Sequence, residues 1–183
     1  MSQPSNGSLV SQTQRGETEA FGELVRRYQN SVFNVCYRML AERRDAEDLT
    51  QETFIRAYQR LGSFDNERAF GPWIRRVAAN LCLNHIKAQK PATAMIDDER
   101  DYQYDTAVKN PEGKQQLSEE KGDIRAAILE LSANYRAVIE LRHYQEMSYK
   151  EISSQLNIPV SDVKSHLFRA RKLIAKRIRS DDQ

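Results

Sequence analysis

Apolar residues recur along this chain at spacings of three and four, the period that places side chains on one face of an α-helix. Phe21, Leu24, Val25 and Tyr28 stand at i, i+3, i+4 and i+7, and after Asn30-Ser31 the pattern returns at Val32, Cys36, Met39 and Leu40. The spacing predicts two amphipathic helices. A third is expected from Asp45 to about Leu61, with Leu49, Phe54, Ala57, Tyr58 and Leu61 available for packing and Gly62 placed to stop it. Beyond a polar segment, Ser63 to Arg68, a fourth is predicted from about Phe70 to Ala88, with Pro72 near its start and Trp73, Ile74, Val77, Ala78 and Leu81 along one face. Together these helices can bury one core.

The pattern then stops. Lys90 to about Ser118 holds Pro91, Pro111, Gly113 and an acidic cluster (Asp97, Asp98, Glu99, Asp101, Asp105) without a helical stripe, and reads as an exposed linker. Periodicity resumes at Ile124, Ala127, Ile128 and Leu131 and continues through Val138, Ile139 and Leu141. The fold class is therefore all-α, as two small helical domains joined by a flexible linker.

The second block ends in a helix-turn-helix pattern. Ser148 and Glu151 have the spacing of a capping box, in which a hydroxyl and a carboxylate each satisfy an orphan backbone N–H. Ile152 and Leu156 share a face, Asn157 stands where the chain must turn and tolerates a left-handed conformation, and Pro159 suits the start of the next helix. Val160, Val163, Leu167, Ala170, Ile174 and Ile178 then form one apolar stripe. Between Pro159 and Arg179 lie seven basic residues (Lys164, Arg169, Arg171, Lys172, Lys176, Arg177, Arg179) against one acid, Asp162, although the whole chain is only +2. Such a concentration reads as a footprint on duplex phosphates, because it begins well before the last turn, where the helix dipole alone would favour cations.

Composition narrows the choice further. A hydrophobic content of 39%, a charged content of 30% and seven glycines over 183 residues suit small helical cores with much solvated surface. Cys36 and Cys82 lie far apart among apolar residues and read as buried thiols; with histidines at 85, 143 and 166, they show no metal-ligand spacing, and no cofactor is implied. His166 reads as a surface or phosphate-side residue rather than a pH switch. Residues 1–14 are polar, lack the apolar run of a signal peptide and read as a tail. No stretch is long enough to span a membrane, so a reducing, cytoplasmic compartment is the default. Glycine-rich phosphate loops, paired-histidine metal motifs and nucleophile motifs are missing from the sequence, which argues against an enzyme and a small-molecule substrate.

Three segments resemble a known family. Asp45-Ala-Glu-Asp-Leu-Thr-Gln-Glu-Thr-Phe-Ile-Arg-Ala-Tyr58 resembles the region-two motif of bacterial sigma factors of the extracytoplasmic-function class; Phe70-x-x-Trp73-Ile-x-Arg-Val-Ala-x-Asn80 resembles the segment that follows it; Leu131 to Arg171 is similar to their region four. The resemblance implies a promoter-specificity subunit of RNA polymerase, with residues 1–14 as tail, 15–89 as region two, 90–118 as linker and 119–180 as region four. It also implies partners: core RNA polymerase through the clamp helices of its largest subunit and its flap, promoter DNA, and an anti-sigma factor that wraps both domains.

Residue by residue, Asp45, Asp48 and Glu52 stand at i, i+3 and i+7, with Gln51, Ile55 and Arg56 alongside. An acidic stripe with an apolar centre suits docking on a basic helical partner, which the resemblance identifies as the clamp helices. Asp45 could instead serve as the helix N-cap. Phe64, Asn66 and Arg68 in the connecting segment, with Arg76, Asn80, Asn84 and Lys87 on the next helix, match the element that captures the minus-ten strand. Holding an unstacked base in a pocket helps to open the duplex, and Asn80 is the expected pocket wall, a solvated amide being the alternative. Phe64 could stack on a base or pack inward, and Trp73 is expected in the core. In the last helix Ser161, Lys164, Ser165, Phe168 and Arg169 are expected to face minus-thirty-five bases or nearby backbone, and Arg171 and Lys172 phosphates; Phe168 could be partly core. A stand-alone helix-turn-helix regulator is the rival reading, and it has no need of the Asp45-to-Asn80 motifs.

Overall fold

The computed structural model describes residues 3–89 and 119–181, with side chains from 122 to 179 in the second stretch. The segment read as a linker, 90–118, lies outside the described residues. Among the described residues every regular element is helical. The chain divides into two compact units, Met1–Asn84 and His85–Gln183, with the boundary inside one helix.

In the first unit α1 spans Asn6–Gln14, α2 Thr18–Leu40, α3 Arg43–Arg60 and α4 Phe70–Gln89, with a single 3₁₀ turn, Leu61–Ser63, after α3. Three expectations need correction. The two helices predicted around Asn30-Ser31 are one 23-residue helix. Phe21, Leu24, Val32, Val35, Cys36 and Met39 are buried along it without a change of phase, and Asn or Ser in a helix interior costs only about half a kcal/mol relative to alanine. The α3 N-cap is Glu42, whose carboxylate accepts from the Arg44 N–H at 3.2 Å, so Asp45 lies inside the first turn. Gly62 does not terminate α3 in a left-handed conformation, because the chain continues into the 3₁₀ turn; among the described residues of this unit positive φ is found at Gly16, 96°, and at Ala41, which ends α2 at 59°.

The N-terminal residues are not merely a tail. Ser5 caps α1 by accepting from the Ser8 N–H at 3.1 Å, and α1 packs on α2 with Leu9 and Val10 buried. Burying two such side chains contributes roughly 3–6 kcal/mol before chain entropy is charged against it. Arg27 of α2 adds polar ties, its Nη1 donating to the Pro4 carbonyl at 2.8 Å and to Asn6 Oδ1 at 3.0 Å. Asn6 Nδ2 donates to the Tyr28 hydroxyl at 2.6 Å. Beneath α1, the core is Leu24, Val32, Val35, Cys36, Met39, Ala46, Ala57, Ile74, Ala78 and Cys82, all fully buried. Both cysteines are buried, free thiols.

In the second unit α5 spans Glu119–Leu129 and α6 Ala133–Ile139, followed by a π-helical turn at Glu140–Tyr144; α7 spans Tyr149–Leu156 and α8 Val160–Asp181. Helices α5, α6 and α7 all pack on α8. The predicted capping box forms in full: the Glu151 N–H donates to Ser148 Oγ at 3.3 Å, and the Ser148 N–H to Glu151 Oε2 at 2.8 Å. Asn157 takes the left-handed conformation, φ 56° and ψ 46°, and so makes the turn into α8. Ile152, Val163, Leu167 and Ala170 close the core between the two helices. Glu130, in the turn after α5, and Arg177 of α8 join at 2.9 Å.

Candidate nucleic-acid and polymerase interfaces

Three surfaces carry the residues singled out from the sequence. On α3, Ala46, Thr53, Phe54 and Ala57 are buried, which turns the opposite side outward. That side displays Asp48, Gln51 and Ile55, the last 53% exposed, with Asp45, Glu52 and Arg56 half-buried at its edges. The Glu52 carboxylate accepts from Arg56 Nε at 2.6 Å. As an exposed i,i+4 pair it is worth only about 0.3–0.5 kcal/mol, so either partner can be given up to a docking protein at little cost. Tyr58, which the periodicity assigned to packing, is 45% exposed and sits edge-on to Phe21 with ring centroids 5.0 Å apart. It extends the apolar centre of the strip beyond Ile55.

The second surface lies where the segment after α3 meets α1, α2 and the start of α4. A cavity of about 350 Å³ opens there, lined by Asn6, Gly7 and Val10 of α1, Tyr28 of α2, Phe64, Asn66, Arg68 and Ala69 of the connecting segment, and Phe70, Gly71, Pro72 and Arg75 of α4. Gly71 allows α4 to approach α2 closely, since a Cβ at that position would meet Tyr28 Cε1 at 3.0 Å. An aromatic and amide lining with two guanidinium groups suits a planar ring attached to a phosphate. Asn66 and Arg68 line the cavity, and so does Phe64, as a buried wall. Its ring packs on Trp73 at 4.7 Å and Phe70 at 6.1 Å, which leaves an edge rather than an open face for a base. Trp73 is half-buried in that cluster.

Asn80 stands apart from this cavity. It does not line the cavity, because α4 carries it two turns further on; it lies exposed with Arg76, Asn84 and Lys87 on an outer face set by spacings of four, four and three. The cavity takes Tyr28, Arg75 and the α1 residues in its place. Tyr28 and Arg75 stand in recognisable helices, but nothing in their spacing marks them as lining. The α1 residues carry no stripe at all.

The third surface is α8. With Val163, Leu167 and Ala170 buried, the opposite side presents Ser161, Lys164, Phe168 and Lys172, all exposed, with Ser165 half-buried among them. Phe168 is 68% exposed, which excludes the partly core alternative. Arg169 and Arg171 flank the strip on either side. Arg171 Nε donates to His143 Nε2 at 3.3 Å. Burial, then the charges of Arg171 and Arg142, hold the His143 pKa below its ordinary value, as a ring that accepts from a guanidinium requires. His166 is not at the surface: it is buried edge-on to Tyr135, with ring centroids 5.6 Å apart.

A four-helix unit with an acidic-apolar strip and a lined cavity, in the same chain as a helix-turn-helix whose outer face is basic, defines a promoter-recognition subunit built from two sigma regions. Residues 24–91 match the family described as Sigma-70 region 2, and residues 121–174 that described as Sigma-70, region 4. The chain is 36% identical to the ECF RNA polymerase sigma factor SigW of Bacillus subtilis, over 93% of its own length and 95% of that protein's. Among solved structures it superposes on CnrH, determined in complex with the cytosolic domain of CnrY, with a TM-score of 0.58 at 23% identity, covering 96% of this chain and 98% of that one. It also superposes on the sigma factor RpoE of Bartonella quintana, co-crystallised with the anti-sigma factor NepR, with a TM-score of 0.58 at 19% identity over 88% and 98% of the chains. The protein belongs to the extracytoplasmic-function class of the sigma-70 family. It is a sigma factor, which binds core RNA polymerase and directs promoter-specific initiation, and the stand-alone regulator reading is set aside.

Proposed function

We propose the following division of labour among the three surfaces. The α3 strip, Asp48, Gln51, Glu52, Ile55 and Arg56 with Asp45 at its start, docks on the clamp helices of the largest subunit. Opposite charge speeds encounter, and Ile55 and Tyr58 supply the area that is desolvated on contact. The cavity lined by α1, α2, the connecting segment and α4 takes one unstacked base of the minus-ten strand, with Asn66 and Arg68 at its rim and Phe64 as its wall, while Arg76, Asn80, Asn84 and Lys87 follow the neighbouring backbone. The outer face of α8 enters the major groove of the minus-thirty-five duplex, with Ser161, Lys164, Ser165, Phe168 and Arg169 near base edges and Arg171 and Lys172 on phosphates. The observation that carries this reading is that Lys164, Phe168 and Lys172 stand outward from the buried stripe of the same helix.

The work is that of an initiation factor in the cytoplasm rather than of an enzyme, and a segment such as 90–118 is long enough to let both units contact DNA and polymerase. An anti-sigma factor, as NepR is for RpoE, would compete for the α3 strip. The test is gel filtration with sigma-free core polymerase, comparing the intact chain with Asp48→Lys/Glu52→Lys. The intact chain should comigrate, and the reversed variant should fold normally but elute alone. A folded variant that still comigrates would remove the strip from the docking site.

A further inference from the structure

The connecting segment between α3 and α4 owes its conformation to a residue far from it in sequence. Gln14 is the last residue of α1, and its carboxamide meets that segment at three points. Its Nε2 donates to the main-chain carbonyls of Leu61 at 2.9 Å and Phe64 at 3.1 Å, and its Oε1 accepts from Asn66 Nδ2 at 2.9 Å. The same Asn66 amide also donates to Ser11 Oγ, at 3.2 Å. Leu61 lies where α3 ends, and its carbonyl also accepts from the Phe64 N–H at 3.0 Å in the 3₁₀ turn, so Gln14 adds a second donor to it.

The cavity shares these parts. Phe64 and Asn66 line it from the segment, and Asn6, Gly7 and Val10 line it from α1. The helix that walls the cavity on one side thus holds its opposite wall in place. Helix α1 is in turn fixed to α2 by buried Leu9 and Val10 and by the bonds from Arg27 and to Tyr28. A segment held beforehand in its binding conformation loses less conformational freedom when it closes on a base.

We propose that Gln14 is a positioning residue for capture of the minus-ten base: it sets the main chain of residues 61–66, and so the selectivity of the cavity, without touching the base. The proposal rests on the reading of that cavity as a base site. Gln14→Glu replaces both N–H donors with a carboxylate that repels the two carbonyls and leaves Asn66 its acceptor. Gln14→Met keeps the length and removes every polar contact.

The experiment uses the full chain bound to core polymerase. The probe is a fork-junction DNA library with a duplex upstream part and a randomised single-stranded stretch in the minus-ten position, and bound molecules are sequenced. Wild type should select one base strongly at one single-stranded position. In Gln14→Glu that preference should fall roughly tenfold, as expected for two lost hydrogen bonds, while preferences at adjoining positions and polymerase binding stay as they are. A merely structural role would lower thermal stability and scale every position down together, and that result overturns the proposal. Wild-type selectivity retained in Gln14→Glu, or in Gln14→Met if the first variant does not fold, also overturns it. Wild type without selectivity at any single-stranded position removes the base-site reading and the proposal with it.

Discussion

Adjacent residues on α8 should respond to the same substitution in opposite ways. Leu167 is 1% exposed and closes the core against α7, whereas Phe168 beside it is 68% exposed. Leu167→Ala opens a cavity in a unit of modest size and should cost about 2–5 kcal/mol. For a domain of this length that lowers the melting temperature by about 8–40 °C. Phe168→Ala removes a side chain that has little buried surface to lose, so stability should change by less than about 0.5 kcal/mol. Its effect belongs to DNA binding. Burying a phenyl side chain contributes about 1.5–3 kcal/mol, and some two-thirds of this one is still available, so roughly 1–2 kcal/mol should be lost at the groove, or about 5- to 30-fold in affinity. The checks are a calorimetric melt of each variant and a titration of the holoenzyme with duplex carrying the minus-thirty-five element. If Phe168→Ala destabilised the chain as Leu167→Ala does, the phase assigned to α8 would be wrong. Unchanged stability with unchanged duplex affinity would place Phe168 outside the DNA interface.

Ser148→Ala removes the side-chain half of the capping box at α7 and should cost about 1 kcal/mol, read as a lower urea midpoint with an unchanged slope. His143 predicts a pH dependence. Its folded pKa lies below the ordinary 6.5, so the unfolded chain binds the proton more readily; this contribution to stability is whole above pH 6.5 and declines as the pH falls from there toward the folded pKa. His143→Gln should flatten the melting temperature against pH over that window, and an unchanged profile would assign the decline to other groups.

Much of the fold was legible from local rules. The capping box at Ser148, the left-handed Asn157 and the stripe of α8 each depend on residues within one or two turns, and such interactions leave a spacing that can be read directly. Where two local solutions were open, reading alone did not choose between them. Glu42 and Asp45 can both cap a helix, and the structure uses the earlier one. Asn30-Ser31 looked like a break because the residues are polar, but a solvated turn of a long helix is polar too.

The remainder was out of reach for a physical reason. Phe64 turns inward because Phe70 and Trp73, in the next helix, offer it aromatic edges, and a ring in a loop carries no periodic mark of its direction. Helix α1 buries too few apolar residues to form a stripe, and part of its attachment comes from bonds between Gln14 and carbonyls 47 and 50 positions away. The order of amino acids set which stretches coil into helices, which faces turn inward and where the basic charge gathers, since all three follow from spacing along one element. Which side chains meet around the cavity, and that α1 and not Asn80 walls it, was decided by packing between elements, where contacts join residues whose separation in the chain has no regular value.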